Sequence, residues 1–251
     1  MAWGTPQDTE TATAEPSSED ASATDPAQAS QGDDAQLGAW HLTTELVNDV
    51  PVQIGLRATL TTPNRIRFGT SIGYMPGAYV DLINNTAEAL DWYGEPTALL
   101  IETIISDSLI SRTHVGWQPW ADKGFYFEAG YAFVGVSSGG TVTAQELATA
   151  AEIETPNIGN SDRGFEASAT LHMVDLEVGW MWSAWDALWL RAALGGAFTV
   201  SSSATVERNF SSGPAQAWDT FEQASEDYLV DIFGSYGHTV VLSMAVGYQV
   251  F

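Results

Sequence analysis

Four histidines, His41, His114, His172 and His238, are the side chains of this 251-residue sequence best suited to exchange a proton near neutral pH. Beside a hydroxyl and a carboxylate, such a ring activates a nucleophile for hydrolysis. The spacing speaks against it. His172 lies three residues before Asp175, which on an extended strand puts the two on opposite faces. His238 has Ser235 and Ser243 near it in sequence, but a nucleophile needs its base within hydrogen-bond reach, and nothing in the pattern guarantees that. The chain has no cysteine, so a thiolate nucleophile, a thiolate metal site and a disulfide framework are ruled out. Phosphate-loop, zinc-helix and dinucleotide motifs are also missing from the sequence. The sequence reads as a non-enzyme.

A second group is more informative. Glu45, Arg57, Arg67, Arg112, His114, Glu128, Asp175, Glu177 and Arg191 interrupt apolar, alternating stretches, and Arg65 stands at the end of another. Four of only eight basic residues thus share one parity with four acids. Buried charges must be paired and hydrogen-bonded, so this parity predicts an Arg–carboxylate network. Trp189 and Met181 would add bulk beside it. The same residues could instead line a gated pore or an interior binding site.

A third group is acidic. Glu222, Glu226, Asp227 and Asp231 are candidates for holding Ca²⁺ through carboxylate oxygens. They lack EF-hand spacing, and no other metal or cofactor is expected.

The elements that must position these groups are strands. Eight alternating segments follow one another at about 39–47, 52–61, 65–74, 108–117, 124–136, 166–182, 187–201 and 238–251. One face of each is free of charge, for example Leu42, Thr44 and Leu46, or Val52, Ile54, Leu56, Ala58 and Leu60. The joins at 62–64, 118–123 and 183–186 are tight or modest, whereas 75–107, 137–165 and 202–237 are long; 48–51 is short but falls in the long series by alternation. Trp40, Trp117, Trp120, Phe125, Trp182, Trp185, Tyr248 and Phe251 gather at the end with the tight turns. Such rings settle at a lipid–water boundary. Tyr74, Phe133 and Phe198 would form a thinner belt at the other end.

The long joins carry apolar residues at three- and four-residue spacing over 79–94, 143–153 and 217–237, which predicts short amphipathic helices. The segment 97–107 fits either a helix or an upward extension of the fourth strand. Eighteen acids fall in these loops or at strand tops, against Arg163 and Arg208; Asp122 and Asp186 fall in the tight turns. With 32 acidic and 8 basic residues in all, nothing can neutralise phosphates, and nucleic-acid binding is excluded. No apolar run is long enough for a helix to cross a bilayer, although mean hydropathy near zero is compatible with strands that show lipid every second residue.

Residues 1–36 hold eight acids, no base and one aromatic, Trp3. Such a segment cannot offset its ordering entropy, so it is expected to be a disordered tail preceding a domain at 37–251. The chain reads as a mature form from which a leader has been removed.

The last strand, HTVVLSMAVGYQVF, sets Val240, Leu242, Met244, Val246, Tyr248 and Val250 on one face and ends on an aromatic. It resembles the closing strand of bacterial outer-membrane barrels. Over about 39–251 the alternation and the aromatic strand ends resemble the small barrels of the outer-membrane-protein-A and -X type. Phe251 is out of parity with Tyr248, so Val250 is expected to take the last lipid-facing place. The resemblance implies an eight-stranded antiparallel transmembrane up-and-down β-barrel with short helices in long external loops, inserted in the bacterial outer membrane with both termini periplasmic. It also implies outer-membrane lipid as a partner and recognition of the C-terminal strand by the barrel-assembly machinery. The function expected is structural or surface-interacting, through acidic loops and with a plugged lumen. The alternatives are a subunit of a trans-envelope assembly, with the tail touching a periplasmic partner, and a small porin-like solute channel.

Overall fold

The computed structural model describes residues 39–106, 108–120, 123–137, 142–156, 163–185, 187–211 and 213–251. The tail at 1–36 and the turn acids Asp122 and Asp186 lie outside the described residues.

The strands are β1 (His41–Val50), β2 (Gln53–Thr61), β3 (Ile66–Tyr74), β4 (Leu109–Trp117), β5 (Phe125–Ser137), the two-residue β6 (Val142–Thr143), β7 (Gly164–Ser183), β8 (Leu188–Arg208) and β9 (His238–Gln249). Apart from β6, every strand pairs antiparallel with two neighbours. The ladder runs β5-β4-β3-β2-β1-β9-β8-β7 and closes where β5 pairs with β7. The result is a closed eight-stranded up-and-down barrel. At the β1–β9 seam, the amide of Val250 donates to Leu42 O and that of Leu42 to Phe251 O, so pairing reaches the last residue.

Short connections share one end of the barrel with the C-terminus. At 62–65, Arg65 adopts a left-handed conformation and its guanidinium donates to Pro119 O in the neighbouring turn at 2.9 Å. Gly124, also left-handed, sits where a Cβ would come 2.0 Å from Met181 O, so both backbone angle and space demand glycine there.

The other end carries four helices, α1 (Gly77–Ala89), α2 (Glu95–Ile105), α3 (Ala144–Ala151) and α4 (Ala215–Tyr236). The ambiguous segment 97–107 is thus helical over α2, with Pro96 in its first turn and Leu100, Ile101 and Ile104 buried. Thr143 and Glu146 close a reciprocal capping box at the start of α3. Between α1 and α2, burial pushes the Tyr93 hydroxyl up to about 12, and it donates to Asn84 Oδ1 at 3.0 Å.

Three features differ from the sequence expectations. The β1–β2 connection is a tight hairpin rather than a 48–51 loop, because β1 runs on to Val50 and Asp49 pairs with Gln53. Val52, expected to face out, is buried in that turn against the apolar core beneath the helices. And β8 continues to Arg208 instead of stopping near 201. A bulge at Val200, between the pairs Met173–Thr199 and His172–Ser201, reverses its alternation. Beyond it Val206 faces inward, packed with α4.

The rim is therefore uneven. β7 and β8 stand tall, whereas β1 and β2 stop at the hairpin, and β9 has no β1 partner above Leu242. Above Phe198, β8 also loses β9. There α4 lies alongside it: Glu226 accepts from the amide of Val206 and Glu222 from the amide of Arg208, both at 2.9 Å. Backbone donors left without a strand partner are met by helix carboxylates.

The interior has two storeys, visible along single strands. On β7, Phe165, Ala167, Ala169, Leu171 and Met173 face in at the helix end, and Asp175 and Glu177 follow toward the termini end. On β5, Val136, Val134 and Ala132 give way to Glu128 and Tyr126. Between the storeys Gly130 leaves room for opposing side chains: a Cβ there would lie 2.4 Å from His114 Cδ2 and 2.5 Å from Asp175 Oδ1. Gly130→Ala is expected to cost about 1–3 kcal/mol through overpacking, read as a lower denaturant midpoint for the barrel in detergent.

Candidate functional site: the charged lumen and the apolar wall

All nine polar residues assigned to the interior by parity, His114 among them, are buried there. The network is built from guanidinium groups that reach across the barrel. Arg57 on β2 meets Glu128 on β5 in a close ion pair and lies 3.9 Å from Glu177 on β7. Arg67 on β3 donates through Nε to the other oxygen of Glu128 at 2.8 Å and through Nη1 to Met181 Sδ at 2.8 Å. Its guanidinium stacks over the Tyr126 ring at 4.5 Å.

Arg191 on β8 bridges two acids, Glu45 on β1 at 3.0 Å and Glu177 at 2.7 Å. Tyr126 donates to the same Glu177 oxygen at 2.7 Å, so that carboxylate joins β5, β7 and β8. Arg112 on β4 reaches Asp49 at 2.6 Å and Asp175 at 3.4 Å. His114 Nε2 stands 2.9 Å from Asp175 Oδ1, without the alignment of a hydrogen bond.

Asp49 is the residue that sequence reasoning missed. Treated as a loop acid, it is instead fully inside, held by Arg112, Gln53 and the Ser243 hydroxyl. The signal was available: Glu45, Val47 and Asp49 share one parity, and only the early end assigned to the first strand hid it. The lumen therefore holds five carboxylates and four guanidinium groups among the described residues. Trp189 adds its indole near the termini end, donating to Gln249 at 3.2 Å.

His172 is on the outer face, bonded to the Tyr131 hydroxyl, while Asp175 is inside. His238 accepts at Nδ1 from the Thr199 amide at 3.2 Å, and Ser243 is committed to Asp49. His41 meets the Gln249 amide at 3.1 Å. Of the four acids considered for Ca²⁺, Glu222 and Glu226 face β8 as described, whereas Asp227 and Asp231 point to solvent. Among the described residues no group of three or more His, Asp or Glu has metal-binding geometry.

The outer wall decides what surrounds the barrel. Leu46, Leu56, Ile72, Val115, Leu176, Leu194, Leu242, Met244 and Val246 all project outward, and Leu56 is 63% exposed. No charged side chain stands among the outward positions of this belt. A closed sheet leaves no backbone donor or acceptor unpaired toward hydrocarbon, and an apolar exterior over a polar interior reverses the order of a soluble protein. The fold is a transmembrane β-barrel.

Trp40, Trp117, Trp120, Trp182, Trp185, Tyr248 and Phe251 are exposed at the termini end, and Phe125 is half-buried between Trp120 and Trp180. Tyr248 and Val250 both face outward. Tyr74, Phe133 and Phe198 are exposed toward the helix end. No helix among the described residues is long and apolar enough to cross a membrane, a statement that leaves strands untouched.

No family model matches the sequence, and no curated protein matches it. Among solved structures the barrel is similar to Acinetobacter baumannii CarO, at 10% identity and TM-score 0.34, over 83% of this chain and 96% of that one. It is also similar to A. baumannii CarO2, at 10% and 0.37 over 83% and 98%, and to a major outer membrane protein from Thermus thermophilus, at 10% and 0.37 over 84% and 98%. The barrel stands on its own closed ladder rather than on these likenesses.

Proposed function

We propose that this chain is an integral outer-membrane protein whose lumen is closed by crossing Arg–carboxylate pairs and whose working surface is the helix-bearing, acidic end. The observation that carries the reading is the charge-free apolar wall around a closed, internally charged sheet. Orientation follows from the connections, since barrels of this kind keep short turns on the periplasmic side and long ones outside. Both chain ends would then face the periplasm, and the helices the exterior. Heat-modifiable migration of the protein extracted from outer membranes tests the membrane reading; absence of both the shift and the location would sink it.

The closed lumen is favoured over a solute channel by the reach of the arginines. Arg57, Arg112 and Arg191 each span the interior to more than one carboxylate, and an eight-stranded barrel is just wide enough to be filled by side chains. The apolar upper storey, into which the helices bury Leu100 and Ile104 of α2 and Phe233 of α4, adds a second closure. The native protein is expected to show no stable openings in planar bilayers, and Arg57→Ala with Arg112→Ala to show them only if the helical storey is also shortened. Steady conductance from the native protein would favour the channel. The acidic loops support a surface role, with a protein or cationic partner; pull-downs with and without residues 1–36 separate this from a trans-envelope assembly.

A further inference from the structure

Between the charged storey and the helices lies an apolar cavity of about 90 Å³. Its wall is Val134 on β5 with Leu171 and Met173 on β7, and its ceiling comes from Ile101 of α2 and Ile232 of α4. Protein interiors are packed to the density of organic crystals, and voids that persist among apolar side chains stay dry and accept apolar guests.

Its position is as telling as its lining. Pro51 and Val52, from the low β1–β2 hairpin, and His238 and Thr239, from the start of β9, bound one side. These are the residues flanking the gap in the wall, because β9 has no β1 partner above Leu242. Outward Val50 and Val240 stand at the same seam, at the upper edge of the apolar belt. Tyr93 and Tyr236 also line the cavity and meet edge-to-face at 5.9 Å, with Trp92 stacked on Tyr236 at 5.9 Å.

We infer that this cavity is a binding site for the end of an alkyl chain, admitted sideways through the β1–β9 seam from the level of the outer leaflet. The sideways entry rests on the membrane reading above; the cavity itself does not. The occupant is an alkyl chain because the wall and ceiling are hydrocarbon and the seam beside them faces hydrocarbon. A polar head would remain at the rim. There His238 accepts the Thr199 amide at Nδ1, so its neutral ring carries hydrogen on Nε2, a donor available to a carboxylate or phosphate.

Photo-crosslinking tests the site, because a carbene inserts into whatever bonds lie beside it. A fatty acid with a terminal diazirine is added to the amphipol-held protein. In a second arm, a phospholipid with the same terminal group is placed in phosphatidylethanolamine–phosphatidylglycerol nanodiscs. Peptide mass spectrometry is expected to find label on Val134, Leu171 or Met173, lost in Val134→Phe, which fills the cavity. Ile232→Phe fills it from the other side and keeps the test usable if the first variant fails to fold. Labelling in the fatty-acid arm alone supports the site with a free amphiphile as source; labelling in the nanodisc arm supports the bilayer as source. Label confined to outward residues in both arms, or cavity label unchanged by both fillings, overturns the inference whatever the membrane fractionation shows.

Discussion

Glu128→Ala is expected to destabilise the barrel by about 3–5 kcal/mol, the cost of leaving a buried ion without its partner. The carboxylate is 2% exposed and serves two arginines at once, Arg57 through one oxygen and Arg67 through the other. Removing it takes the nearest carboxylate from both. Arg57 retains Glu177 at 3.9 Å and the Thr59 hydroxyl at 3.2 Å, whereas Arg67 keeps only Met181 and the face of Tyr126. Glu128→Gln keeps the shape and some hydrogen bonding but not the charge, and should lie between the alanine variant and the native protein. Urea titration of the refolded protein in micelles, followed by tryptophan emission and by the heat-modifiable band, measures both. A loss below about 1 kcal/mol would mean that the arginines are solvated in the lumen and not held by this pair.

Leu56→Arg is the second large effect, and it tests the wall rather than the interior. Leu56 projects outward from β2 beside Leu46 and Ile72. At the middle of a bilayer an arginine there costs about 2–4 kcal/mol. On the surface of a soluble protein the same change would be near neutral. Leu99→Arg, on the exposed side of α2, supplies the control, since that residue belongs to the helical end. Refolding yield and unfolding free energy in lipid vesicles should fall for Leu56→Arg and hold for Leu99→Arg. Equal behaviour of the two would remove the bilayer from around the belt.

Much of this was legible because a strand repeats every two residues. Within each strand the charge-free face marks the outside, so Glu45, Arg57, Arg67 and Arg112 are read as inward one strand at a time. What alternation does not carry is which inward residue meets which. Arg57 finds Glu128 three strands away, through a strand tilt and stagger that no single segment records. Two local devices also escaped. The bulge at Val200 reverses the parity of SSSATVER, so a run of small polar residues stopped looking like a strand at all. The early end assigned to the first strand left Asp49 among the loop acids, although its parity matched Glu45. The helices were readable from their own three- and four-residue spacing, but their place over an apolar storey was not, because Val52 and Val206 take their burial from tertiary contact.

The pairing of Glu222 and Glu226 with the amides of β8 bears on how copies of this protein coexist in a crowded membrane. An uncovered strand edge is a template on which a neighbour's strand can add, and then another. β8 rises past the end of β9 with such an edge, and α4 occupies it with side chains that accept hydrogen bonds but offer no ladder to extend. Two acids with the look of surface decoration thus occupy amides of a tall, half-paired strand that a neighbouring strand would otherwise meet.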